Sequence, residues 1–403
     1  MSQVWRRNLW AVWIAEFLSI MGFSCFTPLL TYYVQYLGVE GDAVETWAGA
    51  VISAPFWAMA IMGPIWGALS DRYGRKVMVE RAMFSGFVIA LLMGFARNVE
   101  QMVFLRFVQG ALTGTVAAAT TLVASATPRE RLGETLGQLQ LAIFLGQSLG
   151  PIVGGFVGDY FGYPYVFWMT AVFLLVGGLI ILFMVHEDFQ PSEQDRQDPL
   201  WKHLSKDFGL LFTGSLLVLV LALRFLLRVG VRLPDPMLPL LVEELLPQGG
   251  FKGSASGLLV TVSGLTSAVA APLLGRLADR YGGRTILLVC AWVGGAALFF
   301  QALAPAYSML LVCQAFLGIA VGGTLATLSA YVGRLAPEGR AGAAYGLDTM
   351  AVSISNALGP FAGGWLARWF SLRSPFTIGG VLMALSSLAV LRLPKDRQVQ
   401  QQA

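Results

Sequence analysis

Between Leu9 and Val34 the chain runs for 26 residues with a single charged side chain, Glu16. At 1.5 Å per residue, about 20 such residues cross the hydrocarbon core of a bilayer as one helix. Comparable runs recur over Val77 to Ala96, Val166 to Val185 and Ile286 to Leu303. Counting gives twelve candidates, six before residue 187 and six after residue 206. The first run is too long for the core of a cleavable signal and continues past any small-residue cleavage site, so it reads as the first span. Of the 403 residues only 12% are charged, against about 25% in a soluble domain, too few to cover a water-facing surface. The expected fold is all-α and polytopic, with twelve transmembrane helices in two pseudo-symmetric six-helix bundles.

Charge placement gives an orientation. With both termini cytoplasmic, 19 of the 27 Lys and Arg lie in or beside cytoplasmic segments. Arg97, Lys252, Arg368 and Arg373 lie outside, while Arg106, Arg224, Arg228 and Arg232 lie at membrane depth. This bias follows the positive-inside rule. The net charge of +4 therefore reflects topology and gives no argument for nucleic acid. The expected location is the plasma (inner) membrane. The hydrophilic stretch from His186 to Asp207 reads as a solvated loop, giving bundles over 1–186 and 207–403 with a cytoplasmic linker over 187–206. Cys25, Cys290 and Cys313 fall inside apolar runs and read as buried or lipid-facing residues, without a disulfide framework.

The two halves repeat. Gly67-Ala-Leu-Ser-Asp71-Arg72-Tyr73-Gly74 matches Gly275-Arg-Leu-Ala-Asp279-Arg280-Tyr281-Gly282 at a shift of 208. Glu16-Phe17-Leu18 with Gly22 and Pro28 matches Arg224-Phe225-Leu226 with Gly230 and Pro236 at the same shift. Beyond the fourth span the shift is 209: Gly150-Pro151-x-x-Gly154-Gly155 matches Gly359-Pro360-x-x-Gly363-Gly364. One residue inserted between the fourth and fifth helices of the second half accounts for the step. Parallel six-helix repeats place a substrate site at their interface, near the bilayer midplane.

The first repeated motif joins the second span to the third, and the eighth to the ninth. Gly67 and Gly275 permit close helix approach, and Gly74 and Gly282 allow a tight turn. Arg72, Arg75 and Lys76, with Arg280 in the second copy, hold the loops in the cytoplasm. Asp71 and Asp279 suit the positive N-terminus of a neighbouring helix. Pseudo-symmetry pairs Asp71 with the helix start near Arg340, and Asp279 with that near Arg131, as a cytoplasmic latch. Topology and turn formation alone are the simpler reading. The stretch Gly67 to Lys76 resembles the signature of the major facilitator superfamily, and that resemblance covers essentially the whole chain.

In the fifth span Gly146, Gly150 and Gly154 share one helix face, which lets helices pack closely in lipid. Pro151 and Pro360 remove backbone hydrogen bonds and permit bending. Gly-x-x-x-Gly-Pro-x-x-Gly-Gly resembles the pattern of the superfamily's exporter, or antiporter, branch, and the export direction is implied by that resemblance alone. The start of the chain, Trp5-Arg6-Arg7-Asn8-Leu9 through Leu37-Gly38-Val39, resembles a subgroup of multidrug efflux carriers. Leu105-Arg106-Phe107-Val108-Gln109-Gly110 resembles the buried-arginine motif of drug:proton antiporters. Its symmetry mate is Gln314, so one half alone carries the charge. A charge at membrane depth faces a cavity or a partner, unless it snorkels to the headgroups.

A proton-coupled carrier needs a carboxyl group that holds a proton in one access state and releases it in the other. Glu16 is the first candidate and Asp348 the second. The spacing of Glu16 to Pro28 resembles that of an acidic residue in some multidrug antiporters, and water reaching a helix interior is the alternative for Asp348. Arg224 occupies the position symmetric to Glu16; with Arg228 one turn on, it suits either a charge pair across the cavity or an anionic substrate. Cavity polar groups are few, with Gln109, Gln140 and Gln314 among them. No nucleotide, metal or nucleophile constellation is present, so neither enzyme nor cofactor is expected. The expected function is proton-coupled export of small amphipathic drugs or metabolites by a monomer in the lipid bilayer. A specific sugar or metabolite carrier of the same fold, and a non-transporting receptor or scaffold, are the alternatives.

Overall fold

A computed structural model describes residues 4–128, 131–187, 215–246, 251–336 and 341–393. Within these, the side chains of residues 64, 67, 68, 71, 72, 125, 215 and 341–343 are not described. Of the expected linker only Glu187 is therefore included, and Arg340 lies outside the described residues, as do the side chains of Asp71 and Arg72 and the surroundings of Gly67.

The regular structure of the described residues is helical. Helices α1 (Val4–Phe26) and α2 (Leu30–Tyr36) form the first span, joined by a 3-10 turn at Thr27–Leu29 where Pro28 withholds its N–H. Then follow α3 (Ala43–Tyr73), α4 (Arg75–Met93), α5 (Val99–Leu112), α6 (Thr115–Ala126), α7 (Leu132–Phe161) and α8 (Tyr163–Met184). The second half comprises α9 (Ser215–Arg232), α10 (Leu238–Leu245), α11 (Lys252–Tyr281), α12 (Gly283–Ala302), α13 (Tyr307–Leu335), α14 (Ala341–Trp369) and α15 (Ser374–Val390). With α5 and α6 making one span and α9 and α10 another, the helices give twelve spans. Eight of these are long and apolar enough to cross a membrane on length and composition. Of the others, α4 carries Arg75, Lys76, Glu80 and Arg81, and α9 carries three arginines. Helix α15 has 17 residues, and α14 is rich in glycine, alanine and serine.

One-residue turns at Gly74, Gly162 and Gly282 join α3 to α4, α7 to α8 and α11 to α12. Their φ values of 96°, 101° and 95° lie in the region that side chains with a Cβ avoid. The first and third of these are the two copies of the repeated loop.

Two compact units form. One gathers Met1–Val39, Ala54–Lys202 and Gly250–Thr261; the other gathers Glu40–Ser53, His203–Gly249 and Val262–Ala403. Two outer segments thus depart from the expected halves, and glycines explain both. A Cβ on Gly155 would collide with the backbone of Gly253, and one on Gly257 with that of Pro151, so α7 and the start of α11 touch backbone to backbone. In the other unit Gly364 meets the backbone of Glu45, and Gly49 has the Pro360 carbonyl 2.5 Å from its missing Cβ. Within the first unit α1 packs on α7 and α8, and α4 on α8; within the second, α9 packs on α14 and α15, and α12 on α15. The repeated sequence therefore repeats its packing.

The fifth-span glycines are a backbone contact surface for α1. A Cβ at Gly146 would lie 2.9 Å from the Phe17 carbonyl and one at Gly150 2.6 Å from the Met21 carbonyl, while one at Gly154 would strike the Cys25 carbonyl outright. Backbone cannot yield as a flexible side chain can. Gly154→Val is expected to destabilise the first unit by on the order of 3 kcal/mol, the upper end for overpacking. A melt of the purified protein in detergent checks this; Gly137→Val, where a Cβ meets nothing within 4 Å, is the control.

Candidate functional site

In the first unit the site is built on α1, α5 and α6. Glu16 is wholly buried. Its Oε1 accepts a hydrogen bond from Thr115 Oγ1 at 3.0 Å, and its Oε2 is buried with no partner. Ser19 Oγ lies 3.4 Å from the same threonine hydroxyl. Arg106, also buried, donates to Gln109 Oε1, and its guanidinium stands 5.2 Å from the ring centroid of Phe26. It turns inward toward an amide and a ring rather than outward to headgroups. Gln140 is exposed on α7, apart from this cluster.

The second unit holds a chain of charges along α9. Arg224 Nη2 lies 2.9 Å from Asp348 Oδ2, with both side chains under 10% exposed. Arg224 Nη1 also donates to Ser329 Oγ at 3.2 Å and to the Leu325 carbonyl at 3.4 Å. Asp348 Oδ1 is buried without a partner. One turn on, Arg228 Nε donates to Asn356 Oδ1 at 3.1 Å, and Arg232 Nε shares that acceptor at 3.0 Å. Arg232 pairs in addition with Asp235, in the turn that follows α9, at 2.7 Å. Arg228 thus has a neutral amide as its hydrogen-bond acceptor. The position symmetric to Glu16 is satisfied by Asp348, from a helix of its own unit.

Among the described residues, each unit therefore has one buried carboxyl residue, Glu16 or Asp348, with one oxygen occupied and one bare. A buried, unpaired charge costs several kcal/mol. Gln314 Nε2 donates to Gln301 Oε1 at 3.3 Å, and Gln301 Nε2 is a further buried atom without a partner. Sequence reading missed Gln301, Thr115 and Ser329, each of which looks like an isolated polar residue in an apolar run. Among the described residues no three His, Cys, Asp or Glu converge as metal ligands would.

At the cytoplasmic motif, Asp279 pairs with Arg334 of α13 at 2.9 Å, within its own unit, and in the other unit the Arg131 guanidinium lies 5.9 Å from the ring centroid of Trp5. Arg280 lies over the ring of Tyr281. The backbone N–H groups of Arg75 and Lys76, which open α4 after Gly74, donate to the carboxylate of Glu187 at 3.2 and 2.8 Å. The carboxylate thus takes up two of the free donors at a helix start. In α14, the backbone of Arg232 and Leu233 runs against Gly359 and Gly363, and Ser355, which replaces the first glycine of the motif, donates to the Phe225 carbonyl at 3.3 Å.

Comparison with known proteins agrees with this architecture. The family model for the Major Facilitator Superfamily matches residues 12–228 and again 220–403. The multidrug resistance protein MdtG of Citrobacter koseri is 33% identical over 381 residues, covering 94% of this chain and 93% of that one. MdtG of Klebsiella pneumoniae is 32% identical over 394 residues, covering 97% and 95%. Among solved structures, the nucleoside transporter NupG superposes with a TM-score of 0.76 at 16% identity, covering 96% of this chain and 100% of that one. A D-xylose-proton symporter gives 0.73 at 16% identity, covering 96% and 97%. With both repeats matched by one family model and alignments running nearly end to end, the chain belongs to the major facilitator superfamily.

Proposed function

We propose that this chain exports small amphipathic molecules across the plasma (inner) membrane in exchange for protons, by alternating access. Family membership makes it an integral membrane protein and a secondary transporter rather than an enzyme. The MdtG relatives, named for multidrug resistance, support the export direction and the amphipathic substrate class. Both termini lie in the cytoplasm on the positive-inside count, and the working unit is a monomer.

One observation carries the coupling: Glu16, wholly buried in α1, has one carboxyl oxygen without a partner. A carboxyl group so placed accepts a proton from one side of the membrane and must find water to lose it. Asp348 plays the supporting part, its proton competing with Arg224 for the carboxylate. Arg106, Arg224, Arg228, Gln109, Gln140 and Gln314 are the proposed substrate contacts. Arg228, bonded to a neutral amide, suits an electron-rich or anionic head.

The test is the purified full-length chain in liposomes under an imposed pH gradient, with a fluorescent amphiphile such as ethidium. Substrate movement against its gradient, with counter-movement of protons and loss of both on adding a protonophore, is the expected result. Accumulation indifferent to a protonophore would overturn the reading.

A further inference from the structure

The fourth span is broken inside the membrane. Residues 99 to 124 form one continuous apolar stretch of spanning length, yet α5 ends at Leu112 and α6 starts at Thr115. Between them Thr113 is extended and Gly114 has φ +146° and ψ +50°, a conformation in the region that glycine favours. At the 208 shift the counterparts of Gly114 and Thr115 are Gly322 and Gly323, which lie within the unbroken α13. Local sequence therefore permits the break without dictating it.

Two of the carbonyls freed at the end of α5 are taken up by side chains of other helices. Trp66 Nε1 of α3 donates to the Ala111 carbonyl at 2.6 Å, and Ser85 Oγ of α4 donates to the Leu112 carbonyl at 3.3 Å. Thr113 turns both its N–H and its hydroxyl onto the Gln109 carbonyl. The residue before α6 is Gly114, which has no side chain to cap it. The first residue of the helix instead gives its hydroxyl to Glu16 Oε1, and Thr115 is the only hydrogen-bonding partner of Glu16 among the described residues. In lipid, a helix break survives where its backbone groups are met by protein, and this one delivers a donor and an open helix N-terminus to one carboxyl group.

We propose that Thr115, set in place by the break in the fourth span, is a positioning residue for the proton-carrying carboxyl of Glu16. This rests on the reading of Glu16 as the proton carrier. The threonine hydroxyl donates to the ionised carboxylate, and the N-terminal dipole of α6 favours the same form. Protonation weakens both interactions, so the state of Glu16 is felt where the fourth span is hinged.

On α4, which packs on α5 and α6, the Arg81 guanidinium lies 3.4 Å from the ring centroid of Trp66 and Glu80 pairs with Lys76 at 3.5 Å, so Arg81 is the cation nearest the break and Thr115 the group bonded to Glu16. Helix α6 carries no ionisable group. On α7, Glu134 lies about 12 Å, and Asp159 and Tyr160 about 25 Å, along the axis from the level of Glu16. On α8, Tyr163 and Tyr165 lie at the outer start, about 15 Å or more away. On α1 itself Arg6 and Arg7 are at the opposite end. Arg106 faces Phe26, ten residues and about 15 Å along α1 from Glu16.

The test pairs two readouts on the full-length protein: infrared titration of the Glu16 carboxyl band, assigned by its loss in Glu16→Gln, and the pH profile of proton-driven efflux in liposomes. Thr115→Val removes the donor at nearly constant volume. It is expected to move the infrared midpoint up by about one pH unit, the size of one hydrogen bond to a charged group. Thr115→Ala, which adds no bulk, is expected to move it the same way, and Thr115→Ser to return it close to wild type. An unmoved infrared midpoint in Thr115→Val and Thr115→Ala overturns the proposal, whatever transport does. Retained proton coupling in Glu16→Gln overturns the role of Glu16 as carrier, while the infrared result still decides what Thr115 does to the carboxyl.

Discussion

Glu16→Gln is expected to abolish gradient-driven accumulation of substrate while leaving substrate exchange across the membrane intact. Glutamine is the neutral shape of a protonated glutamate, so the variant holds the site permanently in its proton-loaded form. The proposed substrate contacts are other side chains, so the variant still alternates with substrate bound and catalyses counterflow of labelled against unlabelled substrate. It has nothing to release to the far side, so a pH gradient no longer does work through it. The pH dependence of transport should flatten in parallel. The stability cost is modest: the amide oxygen keeps the hydrogen bond from Thr115, and the amide nitrogen falls where Oε2 already lacks a partner. An unsatisfied buried donor costs about 1–3 kcal/mol. Measuring accumulation and counterflow on the same liposomes separates loss of coupling from loss of folding. Loss of counterflow with an unchanged melt would make Glu16 a substrate contact instead.

What the sequence conveys about this molecule is its repeat, and what it hides is mostly pairing. Lengths of apolar runs, the duplicated loop at Gly67 and Gly275 and the glycine face of α7 depend on neighbours along the chain or on one helix surface, so they are readable from spacing. The match of Arg224 to Glu16 is also real, but equal positions in two repeats need not be neighbours. Arg224 meets Asp348, 124 residues on, because α9 packs on α14 as α1 packs on α7. Asp279 likewise finds Arg334 within its own unit. The break at Thr113 and Gly114 is hidden for a different reason. Small residues in an apolar run are usually packing residues, as Gly322 and Gly323 are in α13. Only the tertiary donors Trp66 and Ser85, two helices and one helix upstream, make an interruption affordable.

The charge pair of the second unit is expected to behave non-additively. Asp348→Ala leaves Arg224 buried among Ser329, the Leu325 carbonyl and apolar neighbours. Arg224→Ala leaves a carboxylate with both oxygens bare, since Oδ1 has no partner to begin with. Each single change should cost about 3–5 kcal/mol, the usual penalty for orphaning one partner of a buried pair. The double change Arg224→Met with Asp348→Leu removes both desolvation penalties at similar volume. It should recover most of that loss, because the Leu325 carbonyl lies within α13 and Ser329 can turn to its own backbone. Chemical denaturation in detergent of Arg224→Met, Asp348→Leu and the double checks the sign of the coupling. Transport should not recover with stability: a chain without Asp348 has lost one of the two buried carboxyl groups among its described residues, and without Arg224 it has lost the cation that competes with the proton there. Stable but inactive double-variant protein would assign the pair to transport rather than to holding the fold. Full activity in that protein would remove Asp348 from the coupling scheme and leave Glu16 as the sole carrier.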